Sequence, residues 1–286
     1  MKHIVVPIIP RRMQFDFACC STLDWCGQDL IRTAYMNGVS LALPIGEHFF
    51  IRSVRQFEDQ VDDPVLRDEL KRFVAQEAIH SRQHQQYNAQ LVKDGFEIAG
   101  IEAHVSHLLD EVWEQSSPLE RLACTIALEH LTHVMADCIV GHRERLSDWD
   151  PEFRAFWLWH AAEEIEHKAV CYDLFIRLGG TYRMRSRALL TMSRRMMAVF
   201  WHGQQVLLAQ ACAMRGIDVP SSGRVARSNL DFMLGRPDGL LRGLELPYLA
   251  WFRPGYHPWK QDNRQMLASW QQEVLPLHHV SDVPMG

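Results

Sequence analysis

Two copies of a Glu-x-x-His spacing occur in the chain, one formed by Glu77 and His80 and the other by Glu164 and His167. Residues three or four positions apart lie on one face of an α-helix, so each pair presents a carboxylate and an imidazole side by side. Both pairs fall among apolar residues at helical spacing, where an unpaired carboxylate is costly. We interpret each pair as part of a buried metal site.

Two more glutamates lie on the apolar stripes of two other predicted helices, and no Lys or Arg lies on any of the four stripes. Two divalent ions would balance four carboxylates beside neutral imidazoles, and carboxylate-rich ligation suits iron or manganese better than zinc. His160 precedes Glu164 by one turn and points toward the same metal, which favours it as a seventh ligand. The predicted metal ligands are Glu47, Glu77, His80, Glu129, His160, Glu164 and His167.

Four other residues are candidates for additional ligation or for orienting the ligands: His84, His133, Glu163 and Tyr87. A core histidine bonded to a neighbouring carboxylate is an equally good interpretation of His84 and His133. Glu163 competes with Glu164, because it too lies one turn from His167. Tyr87 is more typical of core packing, and Glu166 is expected to face outward. Buried ion pairs or a solvated face are the alternative interpretation of the whole set.

The helical pattern predicts an all-α fold, a ferritin-like antiparallel four-helix bundle with additional packing helices and an irregular C-terminal cap. We expect an irregular segment over 1–25, the bundle with its dimetal site over 26–219, and a capping segment of the same domain over 220–286. In that capping segment, His257 either closes the site or fills a turn. Helices are predicted over 30–57 with an interruption at Pro44, over 64–93, 97–115, 118–145 and 152–178, and over 184–215.

Composition narrows the function classes. The 286 residues are 47% hydrophobic and 23% charged with a net charge of −5, which is typical of a globular protein and not of a nucleic-acid-binding one. The window 196–214 is apolar but contains four His and Gln residues, so no membrane span is expected. The seven cysteines follow no metal-binding spacing, which favours reduced thiols and a cytoplasmic location.

The segments that carry the predicted ligands resemble a known bacterial family, described as "predicted metal-dependent hydrolase". The resemblance rests on residues 44–50 (PIGEHFF), 76–80 (QEAIH), 129–130 and 159–168 (WHAAEEIEHK), and it extends from about 11 to 270. The spacing of His160, Glu164 and His167 is also similar to the seven-ligand variant in the arylamine N-oxygenases of the ferritin-like superfamily. That second likeness implies His160 as the additional ligand, and it implies oxygen chemistry.

The leading prediction is a dinuclear non-haem iron oxidase or oxygenase that oxidises a small organic substrate in the apolar core. It would bind two iron ions, with manganese as the alternative metal, use O2 as a co-substrate and draw on an external electron donor. The second hypothesis is a dimetal-dependent hydrolase with a bridging hydroxide as nucleophile. The third is a non-catalytic metal-binding or ferroxidase protein. The aromatic content is compatible with a homodimer.

Overall fold

The computed structural model of the chain describes residues 6–235, 237–273, 275 and 280–282. These residues form ten α-helices and two short strands, so the predicted all-α class is confirmed. In chain order the elements are β1 Arg11–Met13, α1 Leu30–Arg55, α2 Pro64–Lys93, α3 Ala99–Gln115, α4 Pro118–Gly141, α5 Pro151–His167, α6 Val170–Arg177, α7 Tyr182–Arg215, α8 Ser222–Leu234, α9 Glu245–Ala250, α10 Arg264–Glu273 and β2 Val280–Asp282.

Local capping explains where the long helices begin. The side chain of Asp63 accepts hydrogen bonds from the first turn of α2, whose first residue is proline. Ser117 and Glu120 form a reciprocal capping box at the start of α4. Asp150 caps α5, which again begins with proline. The predicted starts of these helices are therefore confirmed.

The predicted helix over 152–178 is wrong in one respect, because it divides into α5 and α6 around Lys168. This lysine is only 3% exposed. Its ammonium donates to the backbone carbonyl of Gln261, 2.9 Å away, and to the side chain of Asn263. Tertiary contacts with the C-terminal segment thus accompany a break that local helix propensity does not indicate. The helix predicted to reach residue 145 also ends earlier, at Gly141.

Four helices bring their inner faces together around one polar cluster. In this arrangement α1 packs against α2, α4 packs against α5, and α7 packs against both α1 and α4. Two apolar clusters surround the polar one. The first contains Phe17, Tyr87, Phe153 and Phe156, and the second contains Phe49, Phe73, Leu122 and Trp251.

The described residues of the two terminal segments form more regular structure than the composition of these segments suggested. The segment expected to be irregular contains β1, which pairs antiparallel with β2 with Arg12 opposite Ser281. A strand of three residues is too short to show a period-2 pattern, so the sequence does not predict it. The C-terminal segment, also expected to be irregular, contains α8, α9 and α10.

Among the described residues, α4 is the helix that is long and apolar enough to cross a membrane. However, 78% of its most apolar 18-residue window is buried inside the fold. Core helices of globular proteins meet the same length and composition criteria. The burial of α4 is that of a core helix, because it packs on α5 and α7.

Candidate metal centre

The seven predicted ligands lie together at the centre of the helical core. Glu47 comes from α1, Glu77 and His80 from α2, and Glu129 from α4, while α5 contributes His160, Glu164 and His167. None of them is more than 4% exposed. The spacing of three and four residues on each helix is what turns these side chains to one interior face.

Glu164 occupies the middle of the cluster, with its two oxygens directed at different neighbours. Its Oε1 lies 3.1 Å from His160 Nε2 and 3.6 Å from His80 Nδ1. Its Oε2 lies 3.4 Å from His167 Nε2. A carboxylate placed in this way is suited to bridge two cations.

The other ligands fall on either side of Glu164. One ligand atom from each of Glu47, Glu77 and His80 lies within 4.8 Å of the other two, and the same holds for Glu77, Glu164 and His167. On the second side, His167 Nε2 is 3.3 Å from Glu77 Oε1 and 3.4 Å from Glu129 Oε2. Glu77 therefore belongs to both groups of candidate ligands.

Hydrogen-bond satisfaction tests whether these residues fit metal ions. Buried polar atoms are nearly always hydrogen-bonded, because leaving one unpaired costs about 1–3 kcal/mol or more for charged groups. In the described residues, nine buried atoms of six predicted ligands have no hydrogen-bond partner. They are both carboxylate oxygens of Glu47, Glu77 and Glu129, together with Glu164 Oε2, His80 Nδ1 and His167 Nε2. Two cations at the centre of this cluster would satisfy all nine, so the donor set fits metal ions.

The pKa shifts of the clustered side chains also indicate a site for cations. Burial, reinforced by neighbouring carboxylates, raises the pKa of Glu77 well above its ordinary value. Burial also raises the pKa values of Glu47 and Glu129. Burial lowers the pKa of His80, but its contacts with Glu163 and Glu164 outweigh this and raise it to about 10. Without a cation, burial thus favours the protonated, neutral forms of these three carboxyl groups, and a bound cation would supply the positive charge that their ionised forms need.

Each histidine ligand is oriented by a hydrogen bond at its other ring nitrogen. His80 Nε2–H donates to Glu163 Oε2 at 3.0 Å, and His167 Nδ1–H donates to the amide oxygen of Gln76 at 3.0 Å. These bonds place the proton on the outer nitrogen. The inner nitrogen then keeps its lone pair, which is the form that binds a metal.

The orientation of His160 is set through a longer series of hydrogen bonds. Ser40 donates its hydroxyl proton to Asn88 Oδ1 at 2.8 Å, so its oxygen accepts from His84 Nδ1–H at 2.9 Å. His84 Nε2 then accepts from His160 Nδ1–H, also at 2.9 Å. This leaves a lone pair on His160 Nε2, which faces Glu164. Of the two roles left open for His84, its bonds favour orienting His160 over ligation.

The sequence did not reveal the charged network behind the ligands. Arg11 Nη2 lies 2.6 Å from Glu166 Oε1, and Arg11 Nη1 lies 3.0 Å from Glu163 Oε1. The Gln76 amide also donates to Glu166. The prediction that Glu166 faces outward was wrong, since it is 2% exposed. Its spacing of three from Glu163 on α5 was a signal of a second acidic stripe, but nothing in the sequence singled out Arg11 as the partner.

Three other candidates lie outside the ligand cluster. The Tyr87 hydroxyl donates to Asn37, and its ring stacks on Phe17 with centroids 5.2 Å apart, as in ordinary core packing. His133 Nδ1–H donates to the backbone carbonyl of Glu129 at 3.1 Å. In the C-terminal segment, His257 Nε2 lies 2.9 Å from Asp173 Oδ1 on α6. Of the two roles left open for His257, its contacts favour the structural one.

A family model with the description "Predicted metal-dependent hydrolase" matches residues 9–262. The chain belongs to this family. The matched region contains all of the helices that carry the ligand cluster. No curated protein matches the chain, and no solved structure matches it.

Family membership corrects the leading functional prediction. The expectation of a di-iron oxidase or oxygenase, with O2 as co-substrate and an external electron donor, is contradicted by membership of a metal-dependent hydrolase family. The error has a chemical cause. The spacing of His160, Glu164 and His167 specifies which atoms face a cation, but oxygen activation and hydrolysis both use carboxylate and imidazole ligands.

Proposed function

We propose that the chain is a hydrolase that depends on two divalent cations held by the Glu164 cluster. The residues that would hold the two ions are Glu47, Glu77, His80, Glu129, His160, Glu164 and His167. The observation that carries this proposal is the set of nine buried, unpartnered ligand atoms around one point. Family membership supports hydrolysis as the reaction class.

The donor set favours Mn²⁺ as the resident ion. Four carboxylates and three imidazoles supply mainly hard oxygen donors, which suit manganese or ferrous iron, whereas zinc prefers four-coordinate nitrogen and sulfur sites. Cys171 is buried near the carboxylates, but burial and the nearby negative charges raise the pKa of its thiol well above the ordinary value. We therefore propose two Mn²⁺ ions and no thiolate ligand.

In this proposal the side chains divide the work between binding and orientation. When bound, paired divalent ions lower the pKa of water at the site and polarise the bond under attack. Glu163, Gln76 and His84 each bond one ring nitrogen of a ligand imidazole and so turn its other nitrogen toward the cluster. The buried rings of Trp157 and Phe50 restrict the access of bulk water.

We also propose that α1, α2, α4 and α5 form a ferritin-like antiparallel bundle, with 26–219 and the capping segment 220–286 in one domain. The contribution of a carboxylate by each of the four helices supports the bundle, and the contacts of Lys168 with Gln261 and Asn263 support the single domain. All seven cysteines are free thiols, which supports a reducing compartment such as the cytoplasm.

Removal and return of metal tests the proposal. Chelator-treated protein should lose hydrolysis of a panel of ester and amide substrates, and added Mn²⁺ should restore it. Glu77→Ala should lose both metal and activity. Asp68→Ala is the matched control, because Asp68 lies on the same helix with its side chain exposed and paired with Arg72. Hydrolysis that survives complete metal removal would refute the proposal.

A further inference from the structure

A narrow apolar cavity of about 120 Å³ lies between α1, α3, α4, α5 and α7. Two of the proposed ligands, His160 and Glu164, form part of its wall. Apart from these ligands, Thr132 and Arg195, the wall consists of apolar side chains and one glycine. The cavity therefore leads directly to the metal cluster, and a molecule that reaches the cluster through it passes along an apolar surface.

The size of the cavity limits what fits inside. A buried apolar cavity of about 150 Å³ stays dry and binds benzene. A cavity of about 120 Å³ next to the metal cluster thus matches an apolar group of about six carbons. Such cavities favour apolar ligands because a water molecule inside would lack hydrogen-bond partners.

The two ends of the cavity differ in polarity. Arg195 is the cationic residue of the wall, and its Nη1 donates to Glu111 Oε2 at 3.0 Å and to the carbonyl of Leu108 at 3.2 Å. Its side chain is 28% exposed, so this ion pair lies where the cavity approaches solvent. The inner end carries the glutamates of the cluster. Between these two ends the cavity is lined mainly by apolar side chains, which favours a neutral substrate.

We propose that the substrate is a neutral acyl ester or amide whose unbranched alkyl chain of about six carbons occupies this cavity. Its carbonyl would lie at His160 and Glu164. The inference rests on the proposed hydrolase function and adds the substrate class. In the reaction, water adds its oxygen to the acyl carbon while the carbon–oxygen or carbon–nitrogen bond breaks. The alcohol or amine leaves with a proton, and the second product is the carboxylic acid.

Alkyl hydroxamates separate binding at the metals from binding in the cavity. Calorimetric titration of the Mn²⁺-loaded protein should show acetohydroxamate binding through its chelating head group. Affinity should then rise about fourfold for each added methylene through butano-, hexano- and octanohydroxamate, and level off once the cavity is full. If acetohydroxamate does not bind, the dimetal site itself fails. If acetohydroxamate binds but longer chains bind no better, only the cavity inference is overturned.

Two tryptophan substitutions on α7 provide the matched variants. Val199 lines the cavity and is 8% exposed, whereas Met197, two residues away, is 70% exposed. Val199→Trp should fill the cavity and weaken octanohydroxamate at least tenfold, with acetohydroxamate unchanged. Met197→Trp should change neither. Retained Mn²⁺ binding and thermal stability would show that Val199→Trp folds, and Ala42→Leu offers a smaller filling of the same wall. Unchanged chain-length dependence in either filled variant would overturn the inference.

Discussion

Glu163 and Glu164 are neighbours on α5 and equally inaccessible to solvent, yet their surroundings are opposite. Glu163 is bonded by three donors, the guanidinium of Arg11, the indole of Trp159 and the imidazole of His80. The Glu164 carboxylate lies close to three predicted ligands, His80, His160 and His167, and its Oε2 has no hydrogen-bond partner among the described residues. A satisfied buried carboxylate thus orients its neighbours, whereas an unsatisfied one in a cluster of others is suited to hold a cation.

The same contrast separates the two sides of the site. Behind His80, charged and amide groups from β1, α2 and α5 satisfy one another. On the side of His160, the wall next to the cluster is apolar and encloses a cavity. One side therefore holds the ligands in position, and the other is available to a substrate. The predictions below test this division of roles.

The largest effect should be the difference between alanine substitutions at the two adjacent glutamates. Glu164→Ala removes the carboxylate between the two groups of ligands, so we expect Mn²⁺ stoichiometry to fall from two per chain to near zero. Glu163→Ala should keep both sites and weaken metal binding by about 10- to 100-fold, because it removes only the group that orients His80. Equilibrium dialysis with metal analysis measures both. Equal losses in the two variants would contradict the assigned roles.

The second largest effect should come from removal of the buried guanidinium group of Arg11. Arg11→Met leaves Glu163 and Glu166 without their positive partner, and breaking a buried ion pair in this way costs about 3–5 kcal/mol. Chemical denaturation should show this loss in the free energy of unfolding. Arg12→Met is the control, because Arg12 is the next residue of β1 and is exposed. A loss below 1 kcal/mol in Arg11→Met would show that the network is not stabilising.

A smaller effect is expected from removal of the Ser40 hydroxyl, where the series of hydrogen bonds to His160 begins. Ser40→Ala removes the acceptor of His84 Nδ1–H, so His160 loses its fixed tautomer. Metal affinity should fall at the low end of the range for such partners, about tenfold. Ser53→Ala, on the same helix but bonded to Thr125, should leave the affinity unchanged. Equal metal affinities in wild type and Ser40→Ala would show that the hydrogen bonds from Ser40 through His84 do not orient His160 for metal binding.

The pH dependence of stability should be the smallest effect and the most general. In the metal-free protein the folded-state pKa values of Glu47, Glu77 and Glu129 are raised, so the folded state holds protons that the unfolded chain releases above about pH 4.5. Their contribution to stability is present at low pH and is lost as pH rises. The raised pKa of His80, about 10, acts in the same direction above pH 6.5.

Bound Mn²⁺ replaces those protons, so the loaded protein should not lose stability in this way. The difference between the melting temperatures of loaded and metal-free protein should therefore widen between pH 5 and pH 8. Differential scanning calorimetry at several pH values measures it. A difference that narrows as pH rises would mean that the carboxylates are not competing with metal for protons.

Much of the helical core follows from local signals. The caps at Asp63, Ser117 and Asp150 mark helix starts, and the steps of three and four residues between Glu77 and His80 or His160 and Glu164 determine which side chains share a face. These rules need no knowledge of the rest of the chain. That is why the sequence predicts the convergence of the seven side chains.

The remaining features depend on contacts between distant parts of the chain. Arg11 reaches Glu163 across 152 positions, and Lys168 reaches Asn263 across 95. No periodicity of α5 indicates either partner, so the ion pairs of Arg11 and the break before α6 could not be predicted. The reaction class was mispredicted for a different reason, since ligand types alone do not distinguish oxidation from hydrolysis.

Titration of the purified, metal-free chain with Mn²⁺ tests the central claim most directly. Calorimetry or electron paramagnetic resonance counts the ions bound at saturation. We predict two Mn²⁺ per chain, because two divalent ions would balance the charge of the buried, unpartnered carboxylates of Glu47, Glu77, Glu129 and Glu164. A stoichiometry of zero or one at saturation would contradict it.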